Sequence, residues 1–442
     1  MANLLETYQK RIAVSESVYA KAHGGEKLDN NRKMAVAMVL NNTNRFMNEA
    51  FSNSMGTQRA DMGEFKKFCL NLTTVALPNL IASDLVIVHP MSSISGYVTY
   101  VKYTAGSNKG ETRQGDVFND PFRLGKVDVN YTSAKVVETL TKGQTELSWG
   151  PVVEGSIEKF VPAVPAGEEN EEVPAHWEKV ASIAGLAEGT KVRYEYDNVV
   201  IPQKDLPIVN AEIKSIPLVA KARRVAIYYS QIAAFQAKTD YGFDLGDQLA
   251  EKAVGQLTYE IDTEITDLLI EHAEVKADLR FNKAVPYGIS KAQHYEGFNE
   301  IVEMGKQHIY DKTKRFAPNY MLCASNILPV LTFIQGFKAA NVSKINGPYL
   351  AGTLNGIKVY VTPNIAPGKF VLGVNGDDMM SSAAVYAPYM AVVPTQLLGY
   401  ADGGNSQGFS TMYALEMLND ELLVAGEIFS DAAANVVYTS GK

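Results

Sequence analysis

The chain has 442 residues, 46% of them hydrophobic and 20% charged, which is the balance of a folded protein with roughly two or three domain-sized units. Its formal net charge of −8 argues against a dedicated nucleic-acid-binding protein, because such proteins normally carry a basic surface. No apolar run reaches the roughly 18 residues that a membrane helix needs, and residues 1–21 lack the apolar core of a secretory signal. We therefore expect no membrane contact and no export from the cytoplasm in which the chain is made.

The first long helix is predicted after a polar N-terminal segment. Residues 1–28 combine polar residues with scattered apolar ones and predict an extended arm or a weak helix. Asp29 is a favourable N-cap, and apolar residues then recur every three or four positions to about Phe51, which predicts an amphipathic helix. Residues 85–88 predict a short strand further along.

A long hairpin is predicted next. Residues 97–103 and 122–131 alternate in polarity as strands do, and the residues between them are rich in Gly, Asn, Asp and Ser. Because a two-stranded hairpin alone is marginal in water, this one needs a partner surface.

Residues 136–206 differ in character from the rest of the chain. Short β-like runs at 145–149, 177–183 and 191–196 are separated by glycines, prolines and the acidic run 167–172. Several short strands with turn signals between them predict a small all-β insertion, with the acidic run as an exposed loop.

A long amphipathic helix is the clearest single element. Apolar residues recur at every fourth position from Leu245, and the pattern continues to about His272, with Asp244 placed to cap its start. Glu260 and Glu264 form a like-charge pair on the opposite face, which disfavours an isolated helix. Cations from a neighbouring chain would relieve this repulsion, so the pair hints at assembly.

The C-terminal part predicts an α/β module followed by a hairpin. Helices are predicted at 295–314 and 325–339, and the predicted strands of the module are 318–323, 356–361 and 370–373. Residues 409–418 and 421–429 alternate around Asn419-Asp420, which predicts a terminal hairpin.

The sequence lacks the common catalytic motifs. There is no phosphate-binding loop, dinucleotide fingerprint, zinc-protease motif or C-x-x-C pair, and residues 352–358 share only stray glycines with a phosphate-binding loop. Cys69 and Cys323 have no Cys or His at metal-ligand spacing, so two buried free thiols are expected and not a disulfide or a zinc site. We expect no catalytic residue, no cofactor and no metal.

Four segments together resemble the major capsid proteins of tailed double-stranded-DNA bacteriophages, and most of all those of large contractile-tailed phages. They are 78–86 (PNLIASDLV) leading to Pro90-Met91, 352–360 (GTLNGIKVY), 384–389 (AVYAPY) and 408–413 (GFSTMY). The resemblance extends over about residues 29–430, and only residues 136–206 fit it poorly.

The resemblance implies an α+β fold, the tailed-phage major capsid fold, with an N-terminal arm, an extended hairpin called the E-loop, a peripheral or P-domain with a long spine helix, and an α/β A-domain. The implied divisions are 1–75 for the arm and first helix, 76–91 for the first P-domain strand, 92–135 for the E-loop, 136–206 for the β-rich insertion, 207–282 for the P-domain with its spine helix, 283–400 for the A-domain, and 401–442 for the return hairpin and C-terminus.

The implied function is structural. Such a subunit self-assembles into hexamers and pentamers of an icosahedral capsid that encloses the phage genome without sequence-specific DNA binding. It assembles in the cytoplasm of the host bacterium, and its other partners are the portal, scaffold and cement or decoration proteins. The expected inter-subunit contact is the E-loop tip, which comprises Ala105, Gly106, Ser107, Asn108, Lys109 and Gly110. Some relatives cross-link neighbouring subunits through a loop lysine, but a simple exposed lysine is the expectation for Lys109.

Two alternatives stay open at this point. An encapsulin-like bacterial compartment has the same fold and encloses an enzyme cargo, although encapsulins are usually shorter and lack such an insertion. A two-domain α/β enzyme with an unrecognised active site is the more distant alternative, and a deep polar pocket holding a histidine or perturbed carboxylates would favour it.

Overall fold

A computed structural model describes most of the chain, and the described residues are 2–22, 25, 27–52, 70, 73–74, 80–125, 130–163, 174–197, 207–340, 347–395 and 397–431. The chain divides into two units. The first comprises Met1–Val98 and Ile216–Lys442, and the second comprises Thr99–Ser215.

The described helices, in chain order, are α1 (Ala2–Thr7), α2 (Gln9–Ala22), α3 (Asn30–Ser52), α4 (Ala82–Leu85), α5 (Gln231–Asp240), α6 (Leu245–His272), α7 (Lys291–Glu296), α8 (Phe298–Thr313) and α9 (Leu328–Leu331). The described strands are β1 (Ile87–Val88), β2 (Ser95–Ala105), β3 (Val117–Asp120), β4 (Arg123–Leu124), β5 (Lys135–Thr139), β6 (Glu158–Val161), β7 (His176–Lys179), β8 (Lys191–Glu195), β9 (Val209–Val219), β10 (Lys221–Ser230), β11 (Glu274–Asn282), β12 (Tyr320–Cys323), β13 (Phe337–Ala339), β14 (Tyr349–Leu354), β15 (Ile357–Val361), β16 (Lys369–Gly373), β17 (Ala384–Pro394), β18 (Leu398–Gly399), β19 (Gly404–Met417) and β20 (Leu423–Phe429).

The long helix α6 has the bounds that its sequence pattern predicts. The Asp244 carboxylate accepts hydrogen bonds from the backbone N–H groups of Gly246 and Asp247, which satisfies two donors that a helix start leaves open. The apolar stripe is buried along its length, from Ala253 to Leu269. The first long helix, α3, is also confirmed, and the segment before it is helical as α1 and α2.

A seven-stranded mixed sheet forms the main core of the first unit. Its strand order is β11-β20-β16-β12-β15-β14-β13, and its central strands are buried on both faces. Helix α8 packs against this sheet with Phe298, Val302 and Ile309 in the same apolar cluster. The predicted strands of an α/β module are therefore confirmed.

The predicted helix over residues 325–339 is wrong. One 3-10 turn, Ser325–Ile327, leads into the single turn of α9, and the chain then enters strand β13 at the sheet edge. At Gly336 an added Cβ would lie 2.0 Å from the Asn355 side chain, so the chain passes too close to β14 and β15 for a helix there. Pairing with β14 outweighs the modest local helical preference.

The second sheet of this unit has the order β1-β17-β19-β10, with β18 paired to β19. Strand β10 runs antiparallel to β19 over ten residue pairs, from Lys221 with Tyr413 to Ser230 with Gly404. The inward face of β10 contributes Val225 and Ile227 to a cluster with Leu257 of α6. The sheet and the long helix α6 therefore pack against each other as two layers.

The predicted terminal hairpin is wrong, because β19 and β20 belong to different sheets. Asn419 caps a 3-10 turn, Asp420–Leu422, by accepting the Glu421 N–H at 3.0 Å, and this turn passes the chain from one sheet to the other. A two-residue hairpin turn of type I′ needs positive φ at both central residues, whereas Asn419 has φ −151°.

The second unit contains a four-stranded antiparallel hairpin sheet, in the order β4-β3-β2-β9. The strand that pairs with β2 is β3, which begins earlier than the predicted 122–131, and residues 126–129 of that prediction lie outside the described residues. Strand β9 of the same chain lies on the other side of β2, so the hairpin already has a partner before any assembly.

The insertion is a single antiparallel sheet, β5-β8-β6-β7, with two small apolar clusters on it. The predicted strands at 177–183 and 191–196 correspond to β7 and β8. The predicted strand at 145–149 is wrong, because this segment is a loop that places Trp149 in the core beside Tyr194 and Tyr196. The acidic run 167–172 lies outside the described residues.

Candidate functional site

The tip of the hairpin is a tight loop between β2 and β3. Lys109 and Thr112 exchange two backbone hydrogen bonds of 3.0 Å each, which closes the loop on itself. Gly110 makes this turn with φ +62°, a conformation that glycine adopts without steric cost. The tip therefore has a defined backbone, although its composition is that of a flexible loop.

Lys109 is buried, and the expectation of an exposed tip lysine is wrong. Only 1% of the residue is accessible. Its Nζ atom lies 3.1, 2.8 and 2.5 Å from the carbonyl oxygens of Asn130, Tyr131 and Ser133, and 3.0 Å from the hydroxyl oxygen of Tyr196.

Two aromatic rings complete the surroundings of this ammonium. Nζ lies 5.3 Å from the ring centroid of Trp149 and 5.0 Å from that of Tyr196, within the range of cation–π attraction. A charge taken out of water is unfavourable unless its hydrogen bonds are replaced, and the carbonyl groups, the hydroxyl and the two rings provide that replacement here. We call Lys109 and these groups the lysine cage.

The other predicted tip residues differ in exposure. Asn108 is exposed and accepts the Gln114 N–H with its side-chain oxygen, whereas Ala105 is buried. Gly106 donates to the Ile208 carbonyl at 2.7 Å, and Ser107 accepts the Ile208 N–H at 3.1 Å. The contact of these residues with a neighbouring subunit stays a prediction, and Asn108 has the accessibility that such a contact needs.

The like-charge pair on α6 is bridged by a cation of the same chain. Arg223 on β10 places Nη1 3.2 Å from Glu260 Oε2 and Nη2 2.6 Å from Glu264 Oε2. Tyr413 on β19 donates to the same Glu264 oxygen, and burial followed by this hydrogen bond raises the pKa of Tyr413 above its ordinary value. The expectation that a neighbouring chain supplies the cation is therefore wrong for this pair.

A second ionic cluster, built around the buried Asp84, has no obvious sequence signal. The Asp84 side chain, 1% exposed, lies with its Oδ1 atom 3.1 Å from Arg32 Nη1 and accepts the Tyr19 hydroxyl at 2.9 Å. Burial, and after it the Asp84 charge, raise the pKa of Tyr19 above its ordinary value. The cluster attaches α2 and α3 to α4, within the 78–86 segment that carries part of the family resemblance.

The described part of the chain has neither a metal-binding cluster nor a membrane-spanning helix. There, no group of three or more His, Cys, Asp and Glu side chains is placed to hold a metal ion. Cys323 is a buried free thiol whose pKa burial raises to about 12, and Cys69 lies outside the described residues. Among the helices described, none has the length and apolar character to span a bilayer.

Comparison with known proteins identifies the family. A family model described as Major capsid protein Gp23 matches residues 62–439. The chain belongs to this family. The major capsid protein of Enterobacteria phage T4 is 24% identical to this capsid protein over 405 residues, with 77% of this chain and 73% of the T4 protein covered.

Solved structures with detectable similarity include two kinds of shell. The capsid of Myoviridae phage XM1 matches with a TM-score of 0.35 and 8% identity, covering 69% of this chain and 88% of that one. The SrpI encapsulin complex of Synechococcus elongatus matches with a TM-score of 0.34 and 13% identity, covering 53% and 81%.

Family membership decides between the alternatives. The predicted resemblance, the α+β capsid fold and the role of a phage capsid subunit are confirmed by the match over 62–439. The encapsulin alternative is less well supported, since the family matched is a phage capsid family. This capsid protein is a structural component of a virion.

Proposed function

We propose that this capsid protein builds the wall of an icosahedral shell by self-association through exposed apolar side chains of α5 and through the hairpin tip. On α5, Ile232 and Phe235 lie on one face, three residues apart, and remain 72% and 71% exposed. Tyr241, at the end of this helix, is 76% exposed. Large apolar side chains grouped in this way are typical of association surfaces, and this observation carries the proposal.

The two units supply separate surfaces for such contacts. In the second unit, β9 leaves Val209 and Ile213 exposed, with Ile213 at 73%. Obligate shell interfaces bury thousands of Å² and are rich in apolar contact, so exposed side chains of this kind support a role in assembly. Asn108 and its neighbours in the tip would add polar contacts at the rim of an interface.

The domain roles follow the predicted divisions. Residues 207–282, with α6 braced by Arg223, would form the rigid wall of the P-domain. Residues 283–400, built on the seven-stranded sheet, would form the A-domain that meets its copies around the five-fold and six-fold axes. Residues 92–135 would extend toward a neighbouring subunit as the E-loop. The Arg223 bridge and the buried central strands support rigidity in the first two of these regions.

Further partners belong to the same proposal. A shell that is filled through a portal needs portal contacts, and scaffold and cement or decoration proteins would guide and reinforce its assembly in the host cytoplasm. The net charge of −8 fits a wall that encloses DNA without binding a particular sequence. No catalytic activity forms part of the proposal.

A charge placed on the α5 face tests the proposal. We expect the double variant Ile232→Glu/Phe235→Glu to keep the wild-type circular dichroism spectrum and to fail to form shells in electron microscopy. Ser182→Glu/Ala184→Glu, which adds two carboxylates at exposed positions outside this helix, is the matched control and should assemble. Normal shells from the double variant would refute the role of this face.

A further inference from the structure

Two segments that are distant in sequence meet at one charged atom in the second unit. Lys109 belongs to the tip of the hairpin. Its carbonyl partners belong to residues 130–133, shortly before the insertion, and Tyr196 follows the insertion's strand β8. A single side chain therefore joins the tip to the segment that leads into the insertion and to the insertion itself.

The acceptors of the lysine cage depend on the ammonium to different degrees, since the Asn130 carbonyl also accepts the Ser133 N–H at 3.1 Å. The Asn130, Tyr131 and Ser133 carbonyls lie outside the regular strands, so β-ladder pairing does not hold them in place. The Tyr196 hydroxyl also donates to Ser133 at 3.2 Å, which links the members of the cage to one another. If the tip lifted away, the ammonium would leave behind desolvated carbonyl oxygens, which is unfavourable in a buried site.

We propose that Lys109 acts as an internal lock, by which we mean a buried contact that makes the hairpin tip and the insertion open only together, as a single cooperative unit. The same contact withholds the Lys109 amine from reaction with a neighbouring subunit. The proposal does not depend on the assembly role of the tip. It follows from the burial of the ammonium and from the separation of its partners along the chain. Opening of the tip and loss of the cage are then the same event.

A second link between the same segments provides a matched comparison. Lys191 of β8 pairs with Glu111 of the tip at 2.5 Å, but the two side chains are 49% and 40% exposed. Exposed ion pairs contribute little, because water and salt screen them and their side chains lose freedom on pairing. The buried Lys109, and not the exposed Lys191, is therefore the residue that joins the tip to the insertion.

Hydrogen exchange of unassembled full-length subunits tests the lock. In Lys109→Met, which keeps the length of the apolar stem but lacks the donors, tip amides at 105–116 should exchange at least about tenfold faster than in the wild type. Lys191→Met should change the same amides by less than about twofold. The buried strand β12 serves as an internal reference whose exchange should stay unchanged in both variants. Wild-type exchange at the tip of Lys109→Met would overturn the proposal.

Amine acylation of the wild-type subunit gives an independent result that needs no variant. A water-soluble acylating reagent followed by peptide mass spectrometry should modify Lys191 at least about ten times faster than Lys109. This measurement decides the question if Lys109→Met fails to fold. Equal rates at the two lysines would show that the amine is available and that the lock does not exist.

Discussion

Nη2 of Arg223 on β10 lies 2.6 Å from Oε2 of Glu264 on α6, and the same guanidinium reaches Glu260. One cation thereby bridges two carboxylates that would otherwise repel each other one helical turn apart, and reduces their repulsion. The long helix and the sheet are fixed by a charged clamp in addition to the apolar contacts around Leu257.

Removing this clamp should destabilise the subunit modestly. We expect Arg223→Met to lower the free energy of unfolding by about 1 kcal/mol, because the side chains are one-third or more exposed and solvent screens the pair. Urea unfolding at low and high salt measures the change, which should shrink at high salt. Arg224→Met, on the exposed face of the same strand, is the control. If the two variants proved equally stable, Arg223 would have no bracing role.

The Asp84 cluster should matter more, because it is better shielded from water. Asp84→Asn removes the buried negative charge that faces the Arg32 guanidinium, and we expect the variant to lose about 3 kcal/mol of unfolding free energy. Glu303→Gln breaks an exposed pair with Lys306 and should cost less than about 0.5 kcal/mol. Chemical denaturation of both variants makes the comparison. A loss at Asp84→Asn no larger than that at Glu303→Gln would contradict the account.

Alkaline pH should expose the contribution of Cys323. Burial raises the pKa of its thiol from 9.0 to about 12, so the folded protein keeps this proton after the unfolded chain has released it. The contribution of the Cys323 thiol to the free energy of unfolding is therefore fully present below pH 9 and is lost as the pH rises toward 12. Between pH of about 8 and about 10, Cys323→Ala should therefore lose less stability than the wild type, by up to about 1.4 kcal/mol. Identical pH slopes for the two proteins would argue against a buried, protonated thiol.

The exposed part of the tip should affect assembly without affecting folding. Asn108→Asp keeps the oxygen that accepts the Gln114 N–H and adds a negative charge at the surface. We expect an unchanged thermal unfolding midpoint and a lower yield of shells, measured by light scattering and electron microscopy. Ser182→Asp, at an exposed position in the insertion, is the control for added charge. An unchanged shell yield with Asn108→Asp would count against an inter-subunit contact at this residue.

Local patterns predicted the elements whose causes are local. The helix α6 was predicted with its correct ends because a four-residue apolar repeat and an Asp N-cap lie next to each other in sequence. The terminal hairpin was predicted wrongly because Asn419-Asp420 signals a turn without specifying which strands pair. The residues of 325–339 have some helical character, yet their pairing with β14 depends on Gly336 meeting Asn355, which no local pattern contains.

The same contrast between local sequence patterns and tertiary contacts applies to the site residues. Glu260 and Glu264 were identified from their spacing. Their partner Arg223 lies about 40 positions earlier in the sequence, and only the packing of β10 against α6 brings it to them. Lys109 has the sequence surroundings of an exposed loop tip. Its cage is formed by residues 21 to 87 positions away, so its burial depends on tertiary structure alone. The family resemblance, by contrast, rests on short segments whose order along the chain carried the capsid identification.

Electron microscopy and light scattering of the purified protein, expressed alone and with any scaffold gene found beside its own, test the central claim most directly. We expect closed shells, or rings of hexamers and pentamers, under at least one of the two conditions. A compact monomer under both conditions would contradict self-assembly as the function of this chain.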